Sequence, residues 1–385
     1  MTEMRTPRVV FAMEWVPSYR VGFYERLKEL LAGDGIDVAL IHGDPPASRS
    51  GRRDDMTLDW AKRVNNRFWT FRGMEFTHQP VTRYLKGADL VIVQQETGLT
   101  LNYRALLRAK LGGPPIGLWG HGENPNHLTA NPMAERIKAI MTRRSDWVFA
   151  YTDRSKAVFA ALGVDQDRIT VVHNSLDTEL LAKPSGEPSS DVADLVAAIR
   201  SRNARVGWMV SALDQWKRVP FLLETIDHVK KSVPSFEFIV LGAGSHASIL
   251  ADAARDRDWL HVMGPRFGVD KARLGEVAEL TIHPGLAGLH VVESFASATP
   301  MITANISYHS HEIDYLRPGV DSIMLDSEAS SQALAAEAVH LFNTPSRLEG
   351  LQQACVDSAA RFSLDQMVDR FRAGIVQALD KTGTR

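Results

Sequence analysis

Short apolar runs alternate along the chain with longer runs whose apolar residues recur every three or four positions. RVVFAM, DVALIH, DLVIVQ, PIGLWG, DWVFAY and RITVVH are brief, β-branched and closed by polar or glycine residues, so each predicts a buried strand. Between them VGFYERLKELLA, NYRALLRAKLGG, MAERIKAIMTRR and DRSKAVFAALG carry helical spacing. That order predicts an α/β unit, a parallel sheet wrapped by helices. After His173 the texture changes, and KPSGEPSSDV at 183–192 has the Pro, Ser and Gly content of a linker. The alternation restarts with RVGWMVS, FEFIVLG, LHVMG, ELTIHP, PMITAN and DSIMLD, separated by helical patterns such as VPFLLETIDHVKKS. Further helices are predicted around SQALAAEAVHLFN, around RLEGLQQACVDSAARF, and from Leu364 to Leu379. The reading is therefore two Rossmann-like α/β domains, 1–182 and 204–362, with a linker region at 183–203 and a last helix at 363–385.

Bulk composition narrows the function. At 385 residues the chain is long enough for two cores, and 44% hydrophobic with 23% charged residues is the make-up of a soluble globular protein. A formal net charge of -2 gives no overall footprint for nucleic acid. The single cysteine, Cys355, cannot close an internal disulfide and sits in a helical pattern, as a buried small hydrophobe would. The N-terminus lacks a signal-peptide core and no stretch reaches the roughly 20 apolar residues that span a bilayer, which predicts a cytoplasmic protein with at most peripheral membrane contact.

Candidate chemistry collects at predicted strand ends. LGAGSHA fits a G-x-G-x-x-A fingerprint through Gly242, Gly244 and Ala247, but the next strand, WLHVMGP, ends without the acidic residue that would hold a dinucleotide ribose. In HPGLAGLHVVESFASATP, Gly285 and Gly288 precede a helical pattern whose start suits a phosphate, and Glu293 is placed to accept hydrogen bonds from vicinal hydroxyls; the plain alternative is a solvent-exposed helical glutamate. Lys217 and Arg218 follow the first strand of the second half, where two cations suit a diphosphate or simply a solvated first turn. WGHGENPNH presents His121 between two glycines at a strand end, as a donor to a sugar or as a turn residue. The thirteen histidines form no H-E-x-x-H, YHSHEID at 308–314 reads as loop, and neither a P-loop nor G-x-S-x-G occurs.

Taken in order, these motifs resemble the retaining glycosyltransferases of the GT-B fold, the family 4-like, group 1 enzymes, and the likeness covers most of the chain. VSALDQWK is similar to the family's strand, G-R-L-like turn and lysine, with Ser211 and Ala212 where glycine and arginine stand in the family. VVHNSLD resembles V-I-P-N-G-V-D through Asn174 and Asp177, and E-x-F-G-L-x-x-x-E aligns with Gly285, Gly288, Leu289 and Glu293. ATPMIT and HEIDYLRPGVDSIML resemble the segments that follow. The resemblance implies two domains facing a central cleft, a last helix crossing back to the first domain, and a nucleotide-sugar donor as substrate with neither cofactor nor metal. It implies donor contacts from Lys217, Arg218, Gly242, Gly264, Arg266, Gly285, Gly288, Leu289 and Glu293, with Arg218 or Arg266 replacing the missing arginine. His121 would act at the sugar, while Tyr19, Arg20 and Glu123 would face a hydroxyl-bearing acceptor. In the family the first glutamate of the pair contacts the transferred sugar and the second the ribose, so this chain keeps the second and has Gly285 in place of the first. A variant transferase is the favoured reading; the rivals are a nucleotide-sugar epimerase of the same fold and a sugar-nucleotide-binding or partner subunit.

Overall fold

The protein is described by a computed structural model over residues 5–45, 58–71, 74–124 and 131–383. It divides into two compact units, Met1–Asp177 with Leu364–Arg385, and Thr178–Ser363. Among the described residues no helix is long and apolar enough to cross a membrane.

Unit 1 contains strands β1 (Arg8–Met13), β2 (Asp37–His42), β3 (Lys62–Arg63), β4 (Arg67–Phe71), β5 (Met74–His78), β6 (Leu90–Gln94), β7 (Ile116–Gly120), β8 (Trp147–Ala150) and β9 (Ile169–Val171). Seven of them form a parallel sheet in the order β3-β2-β1-β6-β7-β8-β9, and β4 and β5 form a separate antiparallel pair. Its helices are α1 (Val21–Gly33), α2 (Thr100–Lys110), α3 (Pro132–Arg144) and α4 (Asp153–Ala161). Capping fixes where the later ones begin. Asn131 accepts from the backbone N–H groups of Met133 and Ala134 ahead of α3, with Pro132 in its first turn, and Thr152 accepts from Ser155 N–H at α4.

Unit 2 contains α5 (Glu179–Ala182), α6 (Ser190–Ser201), α7 (Val219–Ser232), α8 (Ala247–Ala254), α9 (Gly268–Val277), α10 (His290–Ala296), α11 (Ser331–Phe342) and α12 (Pro345–Arg361). They surround β10 (Arg205–Val210), β11 (Phe236–Leu241), β12 (Leu260–Gly264), β13 (Leu280–Ile282), β14 (Met301–Ala304) and β15 (Ser322–Leu325), a parallel sheet in the order β12-β11-β10-β13-β14-β15. The expected linker at 183–203 is in large part α6, whose Val192, Val196 and Ile199 are buried in the core of this unit. The Pro and Ser content marks only the approach to that helix.

The last helix, α13 (Leu364–Lys381), belongs to unit 1. Leu364, Met367, Val368, Phe371, Ile375, Ala378 and Leu379 form its buried stripe, and Phe371 stacks on Phe149 of β8 at 4.3 Å between ring centroids. Its length and amphipathic spacing made it legible in sequence, and burial of that stripe holds it on α1 and the sheet.

Candidate functional site

In unit 2 the strand order reverses between β10 and β13, and because all strands are parallel their following loops share one edge. Ligands of open α/β sheets collect outside such a reversal. After β10, Asp214 accepts from Trp216 N–H at 2.9 Å and shapes a tight turn at Gln215–Lys217. Arg218 then takes a left-handed conformation, φ 53°, and α7 begins. After β13 runs the loop His283–Leu289. Lys217 Nζ donates to Leu286 O at 2.6 Å, Leu286 N–H donates to Trp216 O at 3.0 Å, and Arg218 donates to Pro284 O at 3.4 Å while lying over the Phe221 ring. The two loops are thus tied backbone to backbone. Gly285 stands at their closest approach: a Cβ there would fall 2.4 Å from Trp216 O and 2.6 Å from both Cα and C of Lys217. The glycine is required by packing, and no side chain of any kind fits at that backbone position.

Glu293 lies in the first turn of α10, which is buried on every side, so the solvent-exposed alternative does not hold. Its Oε1 accepts from Lys271 Nζ at 2.6 Å and its Oε2 from His290 Nδ1 at 3.1 Å. Val210 N–H donates to His290 Nε2 at 3.2 Å, which fixes the imidazole proton on Nδ1. Burial raises the carboxyl pKa, but Lys271 and His290 outweigh it and hold the group at about 2. Glu293 is therefore a carboxylate at neutral pH with lone pairs beyond the two in use. Lys271 comes from α9 and is a partner that the spacing of the motif does not reveal, whereas His290 stands three residues before Glu293 on the same helix, a spacing that puts the two on one face.

Two further buried histidines hold the loop. His283 Nδ1 donates to Gly285 O at 3.1 Å; His309 Nε2 donates to Ala304 O at 2.8 Å while its Nδ1 accepts from Ala287 N–H at 3.4 Å. Burial lowers both pKa values, His309 to about 4 and His283 well below 6.5, with Lys217 adding to both. Both rings are neutral when folded. A depressed histidine contributes stability that is present above pH 6.5 and lost as pH falls through the folded value. The urea midpoint of unit 2 should accordingly fall between pH 6.5 and 4, with His309 accounting for about 3 kcal/mol, and His309→Gln should flatten that slope. A midpoint constant across that interval would contradict the assignment of neutral rings.

The other donor-side residues divide. Gly242, at φ 136°, and Gly244 bring the turn after β11 onto Ser211 and Leu213, where a Cβ on Gly242 would meet Ser211 O at 1.8 Å. Backbone bonds tie this turn to the loop after β10, with Leu213 N–H donating to Ala243 O at 2.8 Å and His246 N–H to Leu213 O at 2.8 Å. Gly288, at φ 55°, and Leu289 lead directly into α10. Gly264 ends β12. Arg266, expected as a replacement diphosphate ligand, is bound to Asp191 and to Asp270 at 3.3 Å, pinning α6 to α9. Of the two candidates only Arg218 lies at the strand-order reversal.

In unit 1 the order reverses between β1 and β6. A cavity of about 270 Å³ there is lined by Glu14, Glu75, Glu96, Asn124, Glu135 and Lys138 among others. Glu14, which the sequence did not single out, is buried and its Oε1 accepts from Thr77 Oγ1 at 2.5 Å. His121 follows β7 with its ring edge-on to Tyr151 at 4.1 Å, and Glu123 pairs with Arg154 at 3.8 Å. Residues 125–127 of the same segment lie outside the described residues. Tyr19 is 43% exposed, whereas Arg20, expected toward the acceptor, is buried: it donates to Ser175 O at 2.8 Å and to Asn174 Oδ1, and lies over the Trp119 ring. Its guanidinium fixes the Asn174–Ser175 turn, which a sequence reading cannot separate from a surface role. Among the described residues no group of three or more His, Cys, Asp or Glu side chains could hold a metal ion.

Two parallel α/β units, each with a strand-order reversal, and a final helix returned to the first define the GT-B class. Residues 23–180 match Glycosyltransferase Family 4, and residues 204–344 match Glycosyl transferases group 1. The chain belongs to this group of glycosyltransferases, enzymes that use nucleotide sugars. No curated protein matches it in sequence. Among solved structures it is similar to Alr3699/HepE of Anabaena in complex with UDP, at TM-score 0.69 and 15% identity over 96% of this chain and 99% of that one. It is also similar to a glycosyltransferase from Rickettsia africae, at TM-score 0.67 and 14% identity over 98% and 99%. The pneumococcal O-GlcNAc transferase GtfA, in complex with UDP and GlcNAc, gives TM-score 0.68 and 13% identity over 97% and 100%.

Proposed function

We propose that the chain transfers a sugar from a nucleoside-diphosphate sugar to a hydroxyl acceptor, a polysaccharide precursor, lipid-linked molecule or small natural product, with retention of anomeric configuration and without a metal. The observation that carries the reading is the pair of locked loops at the strand-order reversal of unit 2, which sets the Lys217 ammonium beside the segment that bears Glu293. Lys217 and Arg218 neutralise the diphosphate as the glycosidic bond breaks and negative charge grows on the leaving group. Glu293, held ionised by Lys271 and His290, accepts from ribose hydroxyls with its remaining lone pairs. Similarity to structures solved with UDP supports a uridine nucleotide as the first donor to try.

With Lys217 and Arg218 assigned to neutralise the diphosphate, transfer is expected to need no divalent ion. Activity should persist in excess chelator; complete loss restored by manganese or magnesium would overturn this part of the reading. His121, at the end of β7, is assigned to the transferred sugar. His121→Ala should lower kcat at least about tenfold, or about 1.4 kcal/mol, with nucleoside diphosphate affinity nearly unchanged. Unchanged turnover would return His121 to a turn residue packed on Tyr151. Donor turnover with no acceptor present would instead mark an epimerase.

A further inference from the structure

Unit 1 carries a second cavity that neither the donor nor the acceptor reading uses. It has a volume of about 730 Å³ and is lined by Lys62 and Arg63 of β3, Arg67 and His78 of the β4–β5 pair, Arg83, and Arg104 of α2. No Asp or Glu lines it among the described residues. The chain as a whole has a formal charge of -2, so this concentration of cations is local.

The partners of these cations sharpen the point. Arg63 pairs with Asp44, and Arg83 donates to Tyr84 Oη at 2.6 Å. The side chains of Lys62, Arg67 and Arg104 make no ion pair or hydrogen bond among the described residues. They converge from β3, from β4 next to it in the chain, and from α2, which is distant in sequence. Like charges brought together cost free energy unless an anion joins them, and guanidinium groups pair with phosphate through two parallel N–H bonds. Desolvation and the fields of Arg104 and Arg67 lower the pKa of His78, so its ring adds a hydrogen-bonding group without adding charge at neutral pH.

We propose that this cavity binds a multiply charged phosphate group, a diphosphate or longer, carried by a ligand other than the sugar donor. The spread of cations over three elements suits adjacent phosphates better than one. The source is either a free anion or the diphosphate of a lipid-linked molecule.

The test is calorimetric titration of the full chain with inorganic pyrophosphate. Arg67→Ala/Arg104→Ala should weaken binding at least about tenfold while leaving the thermal midpoint unchanged, because both side chains are exposed. Lys217→Met, which disables the proposed donor site, should leave this binding intact. Raising the salt from about 0.05 to 0.3 M should weaken the wild-type affinity. The proposal is overturned if the double variant binds pyrophosphate as the wild type does, or if Lys217→Met abolishes all pyrophosphate binding. Geranyl diphosphate separates the sources: binding tighter than pyrophosphate and weakened by the same double variant assigns a lipid-linked diphosphate, and equal binding assigns a free anion. Failure of this test leaves nucleotide binding at unit 2 untouched, since that is read with different variants.

Discussion

Glu293→Ala is expected to destabilise unit 2 by about 3 to 5 kcal/mol, the usual result of removing one partner from a buried ion pair. Lys271 would keep an ammonium whose surroundings were arranged around the carboxylate, and His290 would lose the acceptor that orients it between Val210 and α10. Nucleotide affinity alone cannot report the role of Glu293, because the variant perturbs the helix that carries it. A second variant, Lys271→Met/Glu293→Leu, removes both charges and should recover much of the lost stability, since an apolar pair of similar volume often replaces a buried ion pair without loss. It should still fail to bind a nucleoside diphosphate. Urea unfolding and calorimetric titration of the three proteins separate the two roles. A Glu293→Ala protein as stable as the wild type would show that the carboxylate is not integral to the fold, and a double variant that binds nucleotide normally would remove Glu293 from the site.

Gly285→Glu should lower stability by about 1 to 3 kcal/mol or more and weaken nucleoside diphosphate binding at least about tenfold. If Gly285 only lined the sugar, a glutamate would crowd the sugar and leave nucleotide affinity intact. Close packing changes that expectation, because the first atom of any side chain would overlap Trp216 O and the Lys217 backbone. Backbone cannot rotate aside as a side chain does. Relief requires the loops to part, which breaks the bond from Lys217 to Leu286 O. Gly285→Ala should therefore behave nearly as Gly285→Glu does, the damage coming from Cβ and not from the carboxylate. If alanine is tolerated and glutamate raises transfer severalfold, Gly285 marks a degraded copy of the family site.

Every apolar run read as a strand is a strand, and the nine helical patterns named in sequence are helices. Parallel strands buried on both faces give continuous apolar runs, and long amphipathic helices repeat their stripe often enough to register. What escaped lacks those signals. The β4–β5 pair has every residue of β4 exposed, so no apolar alternation marks it, and β3 has two residues. The helix α6 was hidden by the Pro and Ser before it. Among the candidate site residues, Lys217, Gly288 and Glu293 were legible because each sits at a fixed offset from a strand end. Most of their partners were not. Lys271, His283 and His309 act through burial and mutual contact, and Arg20 and Arg266 look like available surface cations until their carbonyl and carboxylate partners are seen.

Unit 2 is expected to bind a nucleoside diphosphate at the loops after β10 and β13, which titration of the wild type and Lys217→Met with a panel of nucleoside diphosphates measures. Binding should be detected for at least one of the panel and should weaken at least about tenfold in the variant, because the buried ammonium is lost while the stem volume is kept. Equal affinity in the two proteins, or no binding by any member of the panel, would remove the donor from these loops.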